Sequence, residues 1–245
     1  MTDLKTDFSI FSDRGSRPVN EDFADSAVKR DAQCFVLCDG LGGHGMGDRA
    51  SRFVARFVLH EFTRSQSLAS FAQTVLPRAH QALRAEQEKA GAAGKMKTTA
   101  VVLVLEGESG FCLHIGDSRL YRFRGGAVDV QTRDHSVPQM LVLTGEIKTE
   151  EIRSHPDRNK LLRALGDDRE TVKFELTRFD VRAGDAFLIC SDGFWEPVTE
   201  SEMLALLRSV PTAKGWLEKM ALLAVRNSAG KAMDNYTAVA VRVRG

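Results

Sequence analysis

The chain has 245 residues, 43% hydrophobic and 27% charged, with a formal net charge of +1. That size and balance suit one globular domain, and near-neutrality leaves no global field favouring nucleic acid or an anionic membrane. No apolar run approaches the ~20 residues of a membrane helix, and residues 1–7 lack the basic and apolar regions of a signal peptide, so a cytoplasmic location is expected.

Residues 8–11 alternate apolar and polar as a half-buried strand does, and residues 33–38 read as a core strand running into Asp39. The glycine-rich stretch 40–47 is a tight loop. A helix fits residues 48–64, with Phe53, Val54, Phe57, Val58 and Phe62 at helical spacing and Asp48 as N-cap. A second helix fits residues 68–90, where Pro77 should kink or interrupt it. Short β-rich runs follow at 98–105, 111–115, 120–123 and 127–132, expected as an antiparallel meander with a hairpin turn at Gly125-Gly126. From 134 to 166 the strand pattern is lost. Strands resume at 172–176 and 186–190. Helices fit 199–207, with a Thr199/Glu202 capping box, and 212–227, before a closing strand over 236–243. Antiparallel strands in two groups with helix pairs predict an α+β protein, helices covering a sheet or sandwich.

The four cysteines, Cys34, Cys38, Cys112 and Cys190, form no Cys-x-x-Cys pair and sit in apolar runs, as free core thiols do. The aspartates carry more information. Asp39, Asp117 and Asp192 each follow a short apolar run ending in a small residue, and Asp234 precedes the last one. One Asp-Gly is ordinary turn chemistry. A set of four carboxylates at strand ends is not explained that way, because a carboxylate near a core needs a partner. Hard oxygen ligands select Mg²⁺ or Mn²⁺.

The motifs run in order along nearly the whole chain: Arg14-Gly15-x-Arg17-x-x-Asn20-Glu21-Asp22, Asp39-Gly40-x-Gly42-Gly43-His44, Thr98-Thr99, Gly116-Asp117-Ser118-Arg119, Asp134-His135-Ser136, Arg163-Ala164-Leu165-Gly166, Ser191-Asp192-Gly193 and Asp234-Asn235. In this order they resemble the metal-dependent protein serine/threonine phosphatases of the PP2C-type (PPM) family, in their compact bacterial form. The resemblance implies an antiparallel β-sandwich of two sheets flanked by helix pairs, with residues 1–245 as a single domain and a flap at about 135–166. It implies that Asp39 bridges two Mn²⁺ or Mg²⁺ ions. Asp192 and Asp234 would complete the first ion, the Gly40 carbonyl would ligate one of the two, and Glu21 would hold the second largely through water, supported by Asp22. Arg17 would grip the substrate phosphate. Some members carry a third ion, for which Asp117 and Asp192 match ligands and Glu196 occupies the position of a further acid.

These roles imply hydrolysis of phosphoserine and phosphothreonine by water activated between the two ions, without a phosphoenzyme. A guanidinium matches phosphate bidentately and stays charged. Some relatives have His directly after Asp-Gly as a proposed acid. This chain has Leu41 there, and His44 is read as loop-structural. Thr98, Thr99, Arg119, Asp134 and His135 are read as structural, and Arg14 as a surface or loop ion pair. The flap, with Glu146, Glu150, Glu151, Arg153, Arg158, Asn159 and Lys160, is assigned to substrate docking. Expected partners are phosphorylated Ser/Thr proteins and a cognate Ser/Thr kinase, with no nucleic acid and no membrane, the chain acting as a monomer. The alternatives are a catalytically impaired binding module, disfavoured by the intact acids, and another two-metal phosphoester hydrolase, disfavoured by the lack of a His-x-Asp or Asn-His-Glu constellation.

Overall fold

Strand β3 (Ala32–Asp39) shows how the sequence builds the layers. Its side chains alternate between two cores. Phe35 and Leu37 point between the sheets, while Cys34, Val36 and Cys38 point outward under helices. Both faces are therefore buried, which is why the run is apolar without a break. Each fully buried large side chain of this kind contributes ~1.5–3 kcal/mol. In the computed structural model, which describes residues 5–41 and 45–245, β3 is the second strand of an antiparallel sheet ordered β2-β3-β4-β5-β8. Its other strands are β2 (Asp22–Lys29), β4 (Ala100–Glu106), β5 (Ser109–Ile115) and β8 (Glu175–Asp180). The second sheet, also antiparallel, is ordered β1-β10-β9-β6-β7. It contains β1 (Lys5–Asp13), β6 (Arg119–Arg124), β7 (Ala127–Gln131), β9 (Ala186–Cys190) and β10 (Tyr236–Arg244).

The sheets meet through Leu37, Val101 and Leu103 on one side and Phe187, Ile189, Val239 and Val241 on the other. Helices α1 (Gly47–Arg64) and α2 (Leu68–Lys89) cover the first sheet. Helices α5 (Glu200–Ser209) and α6 (Ala213–Asn227) cover the second, with Trp216 and Met220 buried against Phe123 and Leu188. The expected sandwich flanked by helix pairs is the observed architecture. The Thr199/Glu202 capping box forms at α5, the four cysteines are buried and free, and Gly125 and Gly126, both with positive φ, turn β6 into β7.

Some expectations need correction. The four runs from 98 to 132 are not one meander: Gly116-Asp117-Ser118 carries the chain from β5 in one sheet to β6 in the other. Strand β2 went unread because its small and polar residues suit a sheet edge, where only Phe23, Ala24 and Ala27 reach the cores. The run at 172–176 pairs only from Glu175; Val172 and Phe174 pack on the core from the preceding loop. Helix α1 starts at Gly47, with Met46 as an N-cap that makes no side-chain bond. Asp48 lies in the first turn instead, a favourable place in the helix dipole. Helix α2 continues through Pro77. Burial of Phe71, Val75, Leu76 and Leu83 outweighs a proline penalty of about 3 kcal/mol.

The segment at 135–166 holds α3 (Val137–Thr144) and a 3₁₀ turn, Thr149–Ser154. Its base is closed by bridges pairing Ser136 with Leu161 and Leu165 with Thr98. Arg153, expected in docking, is a fastener: it donates to the carbonyls of Trp195, Glu196 and Val198 and pairs with Glu200 at 2.7 Å.

Candidate metal centre

Each acidic residue enters from the end of an element. Asp39 ends β3, Asp117 sits in the crossover from β5 to β6, Asp192 begins the short helix α4 (Asp192–Trp195) after β9, and Asp234 precedes β10. The first two come from one sheet and the last two from the other. They converge, with Glu21, Gly40 and Arg17, on one cleft of 520 Å³.

Two glycine contacts make the convergence possible. A Cβ on Gly193 would lie 2.2 Å from the Asn235 carbonyl, so only glycine lets the Asp192 turn reach the Asp234 turn. A Cβ on Gly40 would lie 2.2 Å from the Gly47 carbonyl. That approach brings the start of α1 to Asp39, and the Gly47 N–H donates to Glu21 Oε1 at 3.2 Å.

Neighbouring residues, among them the two threonines read as strand packing, hold these groups in place. The Asp39 N–H donates to Thr99 Oγ1 at 3.0 Å, and its carbonyl accepts from the Thr98 hydroxyl at 2.8 Å and the Thr99 N–H at 2.8 Å. Asn235 accepts from the Glu21 N–H at 2.8 Å and donates to the carbonyls of Arg14 and Val19 at 3.0 and 2.9 Å. It thereby fixes the loop that carries Arg17. Trp195 Nε1 donates to the Asp117 carbonyl at 3.0 Å, and the Arg119 guanidinium stacks 3.4 Å above the indole ring. Arg119 is held in turn by a bidentate pair with Asp134 at 2.8 Å, the structural role expected of both. Asn235 was legible as the residue after Asp234; nothing local marked Trp195.

Asp22 and Glu196 stand apart from the cleft. Asp22 is buried directly opposite Asp39 in the β2–β3 register. Its Oδ2 accepts from the Ser191 hydroxyl at 2.7 Å, and its Oδ1 has no partner. Glu196 lines an adjoining 770 Å³ groove shared with Arg17, Asp192 and Asp234. It is paired at 3.1 Å with Arg158 from the flap. Leu41 lines the main cleft. Gly42, Gly43 and His44 lie outside the described residues.

The electrostatics suit a bound cation. Burial and then the charges of Asp22 and Asp192 raise the Asp39 carboxyl well above the usual carboxylate range. Burial and then Asp117 do the same to Asp192. Asp117 is pushed up to about 7 by burial and Asp134, and Asp22 to about 6 chiefly by burial. Burial also raises Glu21 and Glu196. Arg17 donates to Asp234 at 2.7 Å with its side chain 56% exposed, and Lys97, Arg163 and Arg169 also line the cleft. Even so, the carboxyls of Asp39, Asp117 and Asp192 stay raised, so these side chains do not neutralise the buried acids. The orphaned Asp22 oxygen and an all-oxygen donor set match a hard divalent cation.

A second cluster does not. His114 Nδ1, His135 Nε2 and a Glu175 oxygen lie within 4.8 Å of one another. The Gly116 N–H donates to His135 Nδ1 at 3.1 Å, which places the ring proton on Nε2. That nitrogen is a donor, not a metal ligand.

The protein phosphatase 2C family model matches residues 12–232. The chain is 34% identical to the serine/threonine protein phosphatase PstP of Mycobacterium tuberculosis over 239 residues, 96% of this chain but 45% of PstP. It thus spans about half the length of that relative. It is 32% identical to the serine/threonine phosphatase stp of Listeria innocua, covering 94% of this chain and 93% of that one. The catalytic domain of PstP in complex with two manganese ions superposes with a TM-score of 0.84 at 31% identity, over 99% of this chain and 100% of that one.

Proposed function

The chain belongs to the protein phosphatase 2C family, and we propose from this that it is a metal-dependent phosphatase hydrolysing phosphoserine and phosphothreonine esters on proteins. The observation that carries the reading is the cleft itself: Asp39, Asp117, Asp192, Asp234 and Glu21 gathered from both sheets, with Arg17 at the mouth. Relatives that this chain matches bear the names of serine/threonine phosphatases.

We assign Asp39, Asp192 and Asp234 to one Mn²⁺ or Mg²⁺ ion, Asp39 and Glu21, with Asp22 behind them, to a second, and the Gly40 carbonyl to one of the two. Asp117, Asp192 and Glu196 are assigned to a third. When bound, such ions supply an activated water and counter-charge for the phosphoryl oxygens.

The chain's own groups do the rest. The carboxylates repel a phosphate dianion until they are neutralised, so they make substrate binding depend on metal. Arg17 offers its guanidinium fork to the phosphoryl oxygens, and its bond to Asp234 holds it at the mouth. Thr98 and Thr99 keep Asp39 from swinging with its strand end. The flap wall at Asn159, Leu161, Leu162, Arg163 and Ala164 borders the cleft. The expected partners are phosphorylated proteins and a cognate Ser/Thr kinase, with the chain acting as a single-domain monomer in the cytoplasm. Among the described residues no helix is long and apolar enough to cross a membrane.

The test is phosphate release from a phosphothreonine peptide with and without Mn²⁺, together with calorimetric Mn²⁺ binding. Wild type binds Mn²⁺ and turns over; Asp39→Asn loses turnover and at least one bound ion. Full activity after exhaustive chelation, or unchanged Mn²⁺ stoichiometry in Asp39→Asn, refutes the assignment.

A further inference from the structure

The outer face of α1 carries a feature that catalysis does not use. Arg49, Arg52, Arg56 and His60 are all exposed, and their spacing of three or four residues puts them on one stripe of the helix. Between them Phe53 and Phe57 stack, ring centroids 6.4 Å apart at 20°. These two rings are half-buried, and with Met96 they floor a groove of 480 Å³. One acid borders it, Glu86, 3.6 Å from Arg49. Arg52 lies over the Phe23 ring at 5.1 Å, which holds its charge beside the groove. On a chain whose net charge is +1, this is a local basic rim around an apolar floor.

We propose that this groove docks an acidic segment of a phosphoprotein substrate, with an apolar side chain of that segment seated on the Phe53 and Phe57 rings and its carboxylates on Arg52 and Arg56. The proposal rests on the phosphatase reading above. Position supports it. Met96 floors the groove and the next residue, Lys97, lines the metal cleft, so the two adjoin near the start of α1. From Arg49 to His60 the helix rises roughly 17 Å, the reach of about five residues of extended peptide. One substrate can therefore fill the groove and the cleft together. A membrane surface fits less well. Membrane association uses protruding apolar side chains and a broad basic field, whereas these rings are recessed and the field is confined to one helix face.

The test uses a fluorescein-labelled peptide of glutamates around a single phenylalanine, its lysine counterpart, and phosphatidylserine vesicles. The variant is Arg52→Glu with Arg56→Glu; Arg56→Gln alone serves as a second variant should the double one unfold. The glutamate peptide is expected to bind wild type with an affinity that falls as salt rises, and to bind the double variant about tenfold more weakly, as two exposed ion pairs turn repulsive. A phosphopeptide extended by the same segment should show a raised KM in the variant, while kcat and KM for a small aryl phosphate stay unchanged. No glutamate-peptide binding, equal binding by the double variant, or preference for the vesicles overturns the proposal. Peptide binding by a chain that hydrolyses no phosphoester would leave the groove supported as an acidic-peptide site and would overturn the phosphatase reading alone.

Discussion

Replacing Asp117 with Asn should stabilise the metal-free protein while impairing the enzyme. Burial and the charge of Asp134 push the Asp117 carboxyl from 3.8 to about 7. The fold therefore favours its protonated form, and ionising it above pH 7 costs the folded state up to about 4 kcal/mol. The sign follows from proton counts. Between 3.8 and about 7 the folded state holds more protons at this site than the unfolded chain, so stability falls as pH rises through that window. Asn keeps the shape without the charge. In chelator at pH 8, Asp117→Asn should melt above wild type by up to about 8–16 °C, using roughly 2–4 °C per kcal/mol for a chain of this size. The gap should close toward pH 4, where the wild-type carboxyl is protonated. Saturating Mn²⁺ should narrow or reverse the gap at pH 8, because the cation stabilises the ionised acid. Thermal unfolding followed by circular dichroism at several pH values, with chelator or Mn²⁺, measures all of this. A gap that is absent at pH 8, or as large at pH 4 as at pH 8, would refute the claim that charge at Asp117 is what the metal-free fold resists.

Two further outcomes bear on the site. Arg17→Ala should lower kcat/KM for a small aryl phosphate roughly ten- to hundredfold, the worth of a charged hydrogen-bonded contact, with KM raised and kcat reduced; steady-state kinetics yielding an unchanged kcat/KM would remove Arg17 from phosphate binding. Gly193→Ala should force the Asp192 and Asp234 turns apart, because its Cβ meets the Asn235 carbonyl at 2.2 Å; stability should drop by about 1–3 kcal/mol and Mn²⁺ affinity should drop with it, and calorimetry finding wild-type affinity would mean the turns tolerate the separation.

The acids of this site were legible because each terminates an apolar run, and such runs in this chain are strands buried on both faces. Asp39 is the last residue of β3, and Asp192 and Asp234 are each separated by one residue from the end of β9 and the start of β10, so pattern and function share one boundary. Asp117 was legible for the same reason, although the strands around it were assigned to a single meander. Periodicity reports which residues are buried but not which sheet buries them. Strand β2 was hidden because an edge strand carries few apolar residues. Trp195, the threonines under Asp39 and the flap pair of Arg158 with Glu196 were missed or misread for a different reason. Each acts through a contact remote in sequence, such as Trp195 Nε1 on the Asp117 carbonyl, and no local signal distinguishes such a residue from ordinary core or surface.

The same geometry explains why the sandwich interior matters to chemistry at its edge. Asp39 and Asp117 leave one sheet, while Asp192 and Asp234 leave the other. Their separation is therefore set by how closely the sheets approach, and that approach is fixed by Leu37 and Val101 against Ile189 and Val239. Close-packed interiors resist compression and transmit strain. The apolar residues one or two positions inside each strand end thus act as the spacer for the carboxylates, although they touch neither cleft nor substrate. A cluster of mutually repelling acids cannot set its own spacing. The sheets set it, and the energy that holds the acids together is the burial of the side chains behind them.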